Sequence, residues 1–412
     1  MKQMLGQSGL VRSEGGQRIV RRACLLLAAL LSGGNLILPR LPLLAALIIV
    51  ASLIAAPAKL LRPELGKIWL LLVAILMVSI IGSEGLYLSA TAVRYANFLA
   101  AIILLLIYID LPRISLIDDL LPILIFFAGQ AILTPTVAIL APEAFVTFEV
   151  GDVLYYTFAG ILTYHETIVS TLKRPDGFFF EPGVLQIYLN LLLFVSLFIY
   201  RRPVLIALAL VAVLATQSTT GIVIAVLMAA GAAWDYLRTA GINNRLVVLI
   251  MAPIVLAPLV LLAQFNLDQK ILGEMRGSTI ARQYDLQAGL AIVREHPVFG
   301  IGFDYERYRD VANEVGNFRT ELSVESASER TSSNGLILLM AMLGFPLFLV
   351  LMWGLARQRL LPKRGLAFVF LVLSFIGEAL ILTPFFLMLI LSGFVSSRPR
   401  TSSHAAHRLR PA

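Results

Sequence analysis

A run of about 20 apolar residues without charge crosses a bilayer as a helix, because a backbone amide inside lipid must find its partner within its own segment. This chain repeats that pattern along most of its length. Apolar runs fall at 22–38, 41–56, 67–83, 93–109, 116–140, 183–200, 203–216, 219–237, 245–263, 334–356, 365–382 and 384–397. Of its 412 residues 59% are hydrophobic and only 14% charged, where ordinary soluble domains carry about 25% charged residues. The runs predict an all-α, polytopic membrane helix bundle of about 12 transmembrane helices, several of them short enough to be tilted or half-spans. Arg18, Arg21 and Arg22 ahead of Ala23 to Leu31 imitate a secretory signal. More apolar runs follow at once, so a retained first helix is expected.

The formal net charge of +8 is spread over short turns and tails between the runs. That is the positive-inside pattern and not a nucleic-acid surface. Placing the N-terminus in the cytoplasm puts 21 of the 33 Lys and Arg inside. Both termini then come out cytoplasmic. The chain divides into a cytoplasmic tail at 1–22, spans one to nine at 23–263 with an outer loop at 141–182, a large outer loop at 264–333, spans ten to twelve at 334–397, and a cytoplasmic tail at 398–412. Cys24 is the only cysteine, so no internal disulfide forms. The four histidines, His404 and His407 in the tail among them, supply no credible metal cluster, and no metal or cofactor is expected. There is no phosphate-binding Gly-x-x-x-x-Gly-Lys loop and no Gly-x-Ser-x-Gly elbow.

The long loops carry the polar chemistry. Segment 264–333 holds 19 of the 58 charged residues, and loops of that length are rarely idle. Ile280, Tyr284, Ala288, Ala291 and Ile292 fall near helical spacing, predicting a helix over Thr279–Glu295. His296-Pro297 should stop it, since proline disfavours helical geometry in the residue before it. Gly300 and Gly302 serve a tight turn, and a second short helix is expected from Asp304 as N-cap through Glu314. The 141–182 loop mixes Tyr155, Tyr156, Tyr164 and His165 with apolar residues, which reads as an interfacial or re-entrant segment rather than a small soluble fold.

Four stretches stand out: Arg174-Pro-Asp-Gly-Phe-Phe-Phe-Glu-Pro182, Gln217-Ser-Thr-Thr-Gly221, Arg282 through Gly302, and Ser332-Ser-Asn-Gly335. Arginines suit a pyrophosphate leaving group, because guanidinium binds phosphate bidentately and never deprotonates. The bland alternatives are a snorkelling Arg174 or an Arg174–Asp176 pair, and a solvated Arg282 or an Arg282–Asp285 pair. Arg276 is the understudy to Arg282. Glu181 is either a general base or acceptor-hydroxyl ligand, or a carboxylate at a helix N-terminus begun by Pro182. Ser333 and Asn334 either bond a sugar or cap a helix. Arg94 in the fourth run is costly in lipid unless it meets a cavity, a phosphate or a headgroup. His296 and His165 are secondary candidates, the first read mainly as a helix end and the second as a base.

An arginine followed by Gly, aromatics and Glu-Pro at the head of a helix, a later Arg…His-Pro-x-x-Gly-x-Gly in a large loop, and a polar-Asn pair opening the next span together resemble the O-antigen ligase and polysaccharide polymerase superfamily over residues 90–350. The resemblance implies an inverting, metal-independent glycosyl transfer on the periplasmic face of a bacterial inner membrane. The donor would be a glycan linked to undecaprenyl pyrophosphate, with Arg174 and Arg282 on the pyrophosphate and a glycan acceptor opposite. Ligases of the family carry a histidine where Ser333 stands, which favours a polymerase of O-antigen or exopolysaccharide. A ligase acting on lipid A core is the alternative within the family, and a polysaccharide transporter or lipid-linked oligosaccharide flippase the one outside it. The bilayer, and a chain-length regulator or export proteins, would be the partners.

Overall fold

The computed structural model describes residues 14–33, 38–55, 57–83, 88–150, 153–167, 170–239, 276–315 and 332–395, with isolated positions between 257 and 268. The 245–263 run therefore lies almost wholly outside the described residues, as do residues 1–13 and the tail at 398–412, whereas residues 14–22 of the expected N-terminal tail are helical. The chain is a helix bundle: α1 (Glu14–Leu30), α2 (Arg40–Ser52), α3 (Gly66–Gly82), α4 (Leu88–Tyr108), α5 (Arg113–Leu140), a four-stranded sheet, α6 (Pro182–Val195), α7 (Pro203–Ala215), α8 (Thr219–Thr239), α9 (Arg276–Glu295), α10 (Tyr305–Val315), α11 (Gly335–Ala356), α12 (Arg364–Gly377) and α13 (Pro384–Ser392). Among the described residues, six helical segments are long and apolar enough to cross a membrane, and α2, α7 and α12 are shorter apolar helices.

Lipid as the outer solvent explains the burial pattern. On α3, Ile68, Leu71, Leu72 and Ile75 are buried while Leu70, Val73, Met77 and Ile81 lie exposed on the opposite face. Such a stripe would be an aggregation surface in water but meets its preferred solvent in a bilayer. α6 is the hub, with every residue from Val184 to Val195 buried. Pro182 occupies its first turn, where a missing N–H costs nothing.

The 141–182 segment is a small antiparallel sheet, which corrects the expectation of an interfacial or re-entrant stretch. Strands β1 (Val146–Val150), β2 (Val153–Phe158), β3 (Leu162–Thr167) and β4 (Ser170–Pro175) pair in chain order as a meander. The β2–β3 turn closes with Ile161 N donating to Phe158 O at 3.1 Å, and Ala159 (φ 53°) and Gly160 (φ 68°) are both left-handed, as a twisted hairpin requires. The aromatics that look interfacial are cross-strand pairs: Tyr156 and Tyr164 stack at 4.9 Å, and Phe145 meets Tyr164 edge-on at 5.1 Å. The sheet rests on the C-terminal end of α5, where Gln130 Nε2 donates to Ile161 O and Lys173 Nζ to Ala138 O at 2.8 Å.

Toward the other end of α5, about 28 Å from Ala138 at 1.5 Å per residue, Asp119 carries a different arrangement. Buried Asp119 accepts from Arg21 Nε at 2.6 Å, from Arg18 Nε at 3.3 Å and from the Tyr108 hydroxyl at 3.3 Å, with Arg22 Nε at 3.8 Å. These arginines belong to α1, which begins well before the apolar run does. Removing one partner of a buried ion pair costs about 3–5 kcal/mol. Asp119→Ala is accordingly expected to lower the thermal midpoint of the detergent-solubilised protein by several degrees. An unchanged midpoint would show that the arginines hold α1 to α5 without it.

Candidate active site

The turn from β4 into α6 is held by aromatic packing. Phe179 is fully buried between Phe127, edge-on at 5.3 Å, and Tyr188, stacked at 5.4 Å; Phe178 stacks on Phe126 at 5.8 Å. The Tyr188 hydroxyl donates to Ser32 Oγ at 2.7 Å, tying the turn through α6 to α1. Each such ring pair adds about 0.5–1.5 kcal/mol beyond its buried area. Arg174, at the end of β4, is thereby set in place. Its Nε donates to Thr216 O at 3.2 Å, the carbonyl just past α7. It does not pair with Asp176, which bonds His165 Nδ1 at 2.8 Å instead.

Arg282 arrives from the other loop. α9 buries Tyr284, Asp285, Ala288 and Ile292 against the bundle, and ends at Glu295, just before the His296-Pro297 pair. Asp285 is committed to the start of α11, accepting from Ser333 N at 2.7 Å and Ser333 Oγ at 2.6 Å. Arg282, one turn earlier and part-exposed, has no ion-pair partner among the described residues. The helix is further fixed by the His-Pro-x-x-Gly-x-Gly loop behind it. α11 breaks at Gly344 (φ 72°), and the loop fills the break with backbone bonds: Ile301 N to Ala341 O at 3.0 Å, Gly302 N to Met342 O at 2.9 Å, and Phe345 N to Pro297 O at 2.8 Å. Beyond it α10 starts at Tyr305, with Asp304 Oδ1 accepting from Arg307 N at 2.9 Å.

The two arginines are within electrostatic reach of each other. Burial pushes the Arg174 guanidinium below its ordinary value, and the positive charge of Arg282 adds to that; Asp176, Glu181 and Glu378 act in the opposite sense. Burial also pushes Asp176 up to about 6, against the stabilising bond from His165 and the charge of Arg174. The cluster is thus two guanidiniums with no carboxylate bonded to either among the described residues, inside a ring of carboxylates. An anion with two or more charges is the ligand that relieves such an arrangement.

The remaining candidates fall at differing distances from this centre. Glu181 is the exposed N-cap of α6, and its side chain makes no capping bond. Asn334 caps α11, its Oδ1 accepting from Leu336 N and Ile337 N at 3.1 Å each, so its amide nitrogen is the part left for a ligand. Ser333 is on the Asp285 carboxylate. Arg94 lies elsewhere, its guanidinium 4.9 Å above the Tyr305 ring. Arg276 opens α9, with its side chain outside the described residues. His296 Nε2 meets Arg307 Nη2 at 3.0 Å, remote from Arg174 by any contact seen.

Glu378 is the residue that sequence reasoning missed. It ends α12 and is buried, its carboxylate occupying the space that a side chain on Gly183 would need, while its carbonyl approaches Gly335. It therefore sits between the first turns of α6 and α11, where helix dipoles favour negative charge. The available signal was a lone carboxylate inside the apolar run at 365–382. Because Glu378 offsets the Arg174 charge, Glu378→Gln is expected to destabilise the empty protein while tightening its binding of inorganic pyrophosphate. A thermal-shift titration reads both, and weaker binding by the variant would place Glu378 on the ligand's side of the balance.

Residues 204–352 match the family model described as O-antigen ligase. No curated protein and no solved structure gives a significant match. The matched region runs from α7 into α11, so it contains Arg282, Ser333 and Asn334 but not Arg174, which joins the site through the fold. The match makes residues 204–352 similar to the O-antigen ligase family, and the apolar helices among the described residues are those of a multi-pass membrane protein.

Proposed function

From the similarity of residues 204–352 to the O-antigen ligase family, we propose that this chain is a membrane glycosyltransferase that polymerises glycan repeat units carried on undecaprenyl pyrophosphate, at the periplasmic face of the inner membrane. What supports the reading is that the charge of Arg282 reaches the Arg174 guanidinium although the two come from separate loops. In the transition state the bond from the anomeric carbon to the phosphate breaks, and charge grows on the departing diphosphate. Fixed guanidiniums stabilise that charge where it develops, in a site partly shielded from water. An acceptor hydroxyl entering from the opposite side inverts the anomeric centre, and Glu181 stands at the head of α6 to hold it. Asn334 and Ser333 would face the sugars, with Arg94 and Arg276 on phosphate or headgroup.

Polymerase is favoured over ligase because Ser333 stands where the resemblance puts the ligase histidine, and its hydroxyl is spent on Asp285. The orientation is supported by the cation-rich end of the bundle, where Asp119, Asp110 and Asp235 pair with Arg21, Arg62 and Lys363, at the end of α5 away from the sheet. The deciding experiment supplies purified protein with lipid-linked repeat units. Longer polyprenyl-linked chains are expected. Transfer that appears only when lipid A core is added would make it a ligase, and label crossing vesicles at constant chain length would make it a transporter.

A further inference from the structure

We propose that His165, oriented by Asp176, is the general base that deprotonates the acceptor hydroxyl. The proposal rests on the glycosyl-transfer reading above. In the register of the sheet, His165 lies directly opposite Arg174 on β4 and opposite Tyr155 on β2. Directly opposed residues of antiparallel strands share a face, with Cβ atoms about 4.5–5.5 Å apart. The imidazole therefore rises from the strand position next to that of Arg174, whose guanidinium reaches away to Thr216 O and leaves room for the sugar between them, and the buried Tyr155 ring backs the imidazole at 5.5 Å.

The ring is set as a base. Nδ1 faces Asp176 Oδ2 at 2.8 Å, which places the proton of neutral imidazole on Nδ1 and the lone pair on Nε2. Nε2 makes no hydrogen bond to another described residue, and the side chain is part-exposed. Asp176 is fully buried, and its Oδ1 has no partner among the described residues. A buried carboxylate so poorly satisfied gains from a full positive charge next to it. Protonation of His165 supplies that charge. A purely architectural histidine would be expected to spend both nitrogens.

The step balances without a co-reactant. Nε2 takes the proton of the acceptor hydroxyl, whose oxygen bonds the anomeric carbon. The bond from that carbon to the phosphate oxygen breaks, and the electron pair leaves on undecaprenyl pyrophosphate between Arg174 and Arg282. Water then removes the proton from His165. Among the described residues, Tyr155 on β2 and Asp176 in the turn before α6 face the imidazole, Arg174 holds the opposed position on β4, and Glu181 acts on Asp176 and Tyr155 from the head of α6.

The test compares wild type with His165→Asn, His165→Gln and Asp176→Asn in the chain-extension assay, alongside donor binding followed with unextended lipid-linked repeat units. Both His165 variants are expected to lose about 10²–10⁴ in kcat with donor affinity within about threefold, and the acidic limb of the wild-type pH–rate profile should vanish. Asp176→Asn should lose less and shift that limb, and free imidazole should partly restore His165→Gly. Variants within threefold of wild-type kcat would overturn the proposal. So would losses that follow unfolding in both His165 variants with no imidazole rescue in His165→Gly. Absence of chain extension by the wild type, with lipid-linked donor bound, would instead count against the glycosyl-transfer reading itself.

Discussion

Arg174→Ala and Arg282→Ala are each expected to abolish glycan product while leaving folded protein in the membrane. Removing one preorganised donor to a developing charge costs about 10²–10³ in rate, and a bidentate cation on a diphosphate is at the upper end of that range or beyond it. The structural cost is small by comparison. Arg174 gives up its bond to Thr216 O, about 1 kcal/mol, and either substitution removes repulsion between the two cations. Lysine should restore part of the activity at best, since it keeps the charge and loses the fork. If both arginines hold one diphosphate, the double variant falls no further than the worse single one, a coupling that a double-mutant cycle measures. Strictly additive losses would mean two separate ligands. Full activity in either single variant would remove that residue from the site.

A second large effect is expected far from the chemistry. Gly300→Ala should prevent stable folding, because Gly300 is left-handed (φ 61°) and an added Cβ would lie 2.5 Å from Ala341 O. The left-handed backbone alone costs about 1–2 kcal/mol. Displacing the loop also forfeits its bonds to the broken segment of α11, at about 1 kcal/mol each. A total of about 3–5 kcal/mol is a large part of the stability of most proteins. Cys24, the sole cysteine and fully buried, makes the readout direct. A thiol-reactive fluorophore should label Gly300→Ala at a markedly lower temperature than wild type, and coincident melting curves would show that the loop yields without penalty.

Features set by local geometry were legible in the sequence. Proline decides its own surroundings, so the end of α9 at His296-Pro297, the start of α6 at Pro182 and the cap of α10 at Asp304 lie where expected. Apart from the 245–263 run, which lies almost wholly outside the described residues, the apolar runs likewise each contribute a helix, because lipid permits few alternatives. What escaped was held by pairing across distance. The sheet exists because Tyr156 finds Tyr164 and Phe145 finds Tyr164, and no single strand reveals that. Asp285 was weighed against its neighbour Arg282, yet its partner is Ser333, 48 residues away. Glu378 disappeared into the average hydropathy of its run. The same long-range assembly puts Arg174 within the electrostatic reach of Arg282, which the motifs suggested only by resemblance.

The break in α11 has a mechanical consequence. α9 is fastened to the head of α11 through Asp285 and, past its C-terminus, to the kink at Gly344, so one bilayer-embedded rod grips the catalytic loop at two stations about ten residues apart. Swinging Arg282 aside would require both fastenings to open together. The cation from this loop is therefore parked before any ligand arrives, and under the proposed reaction each incoming glycan would meet a stationary anvil.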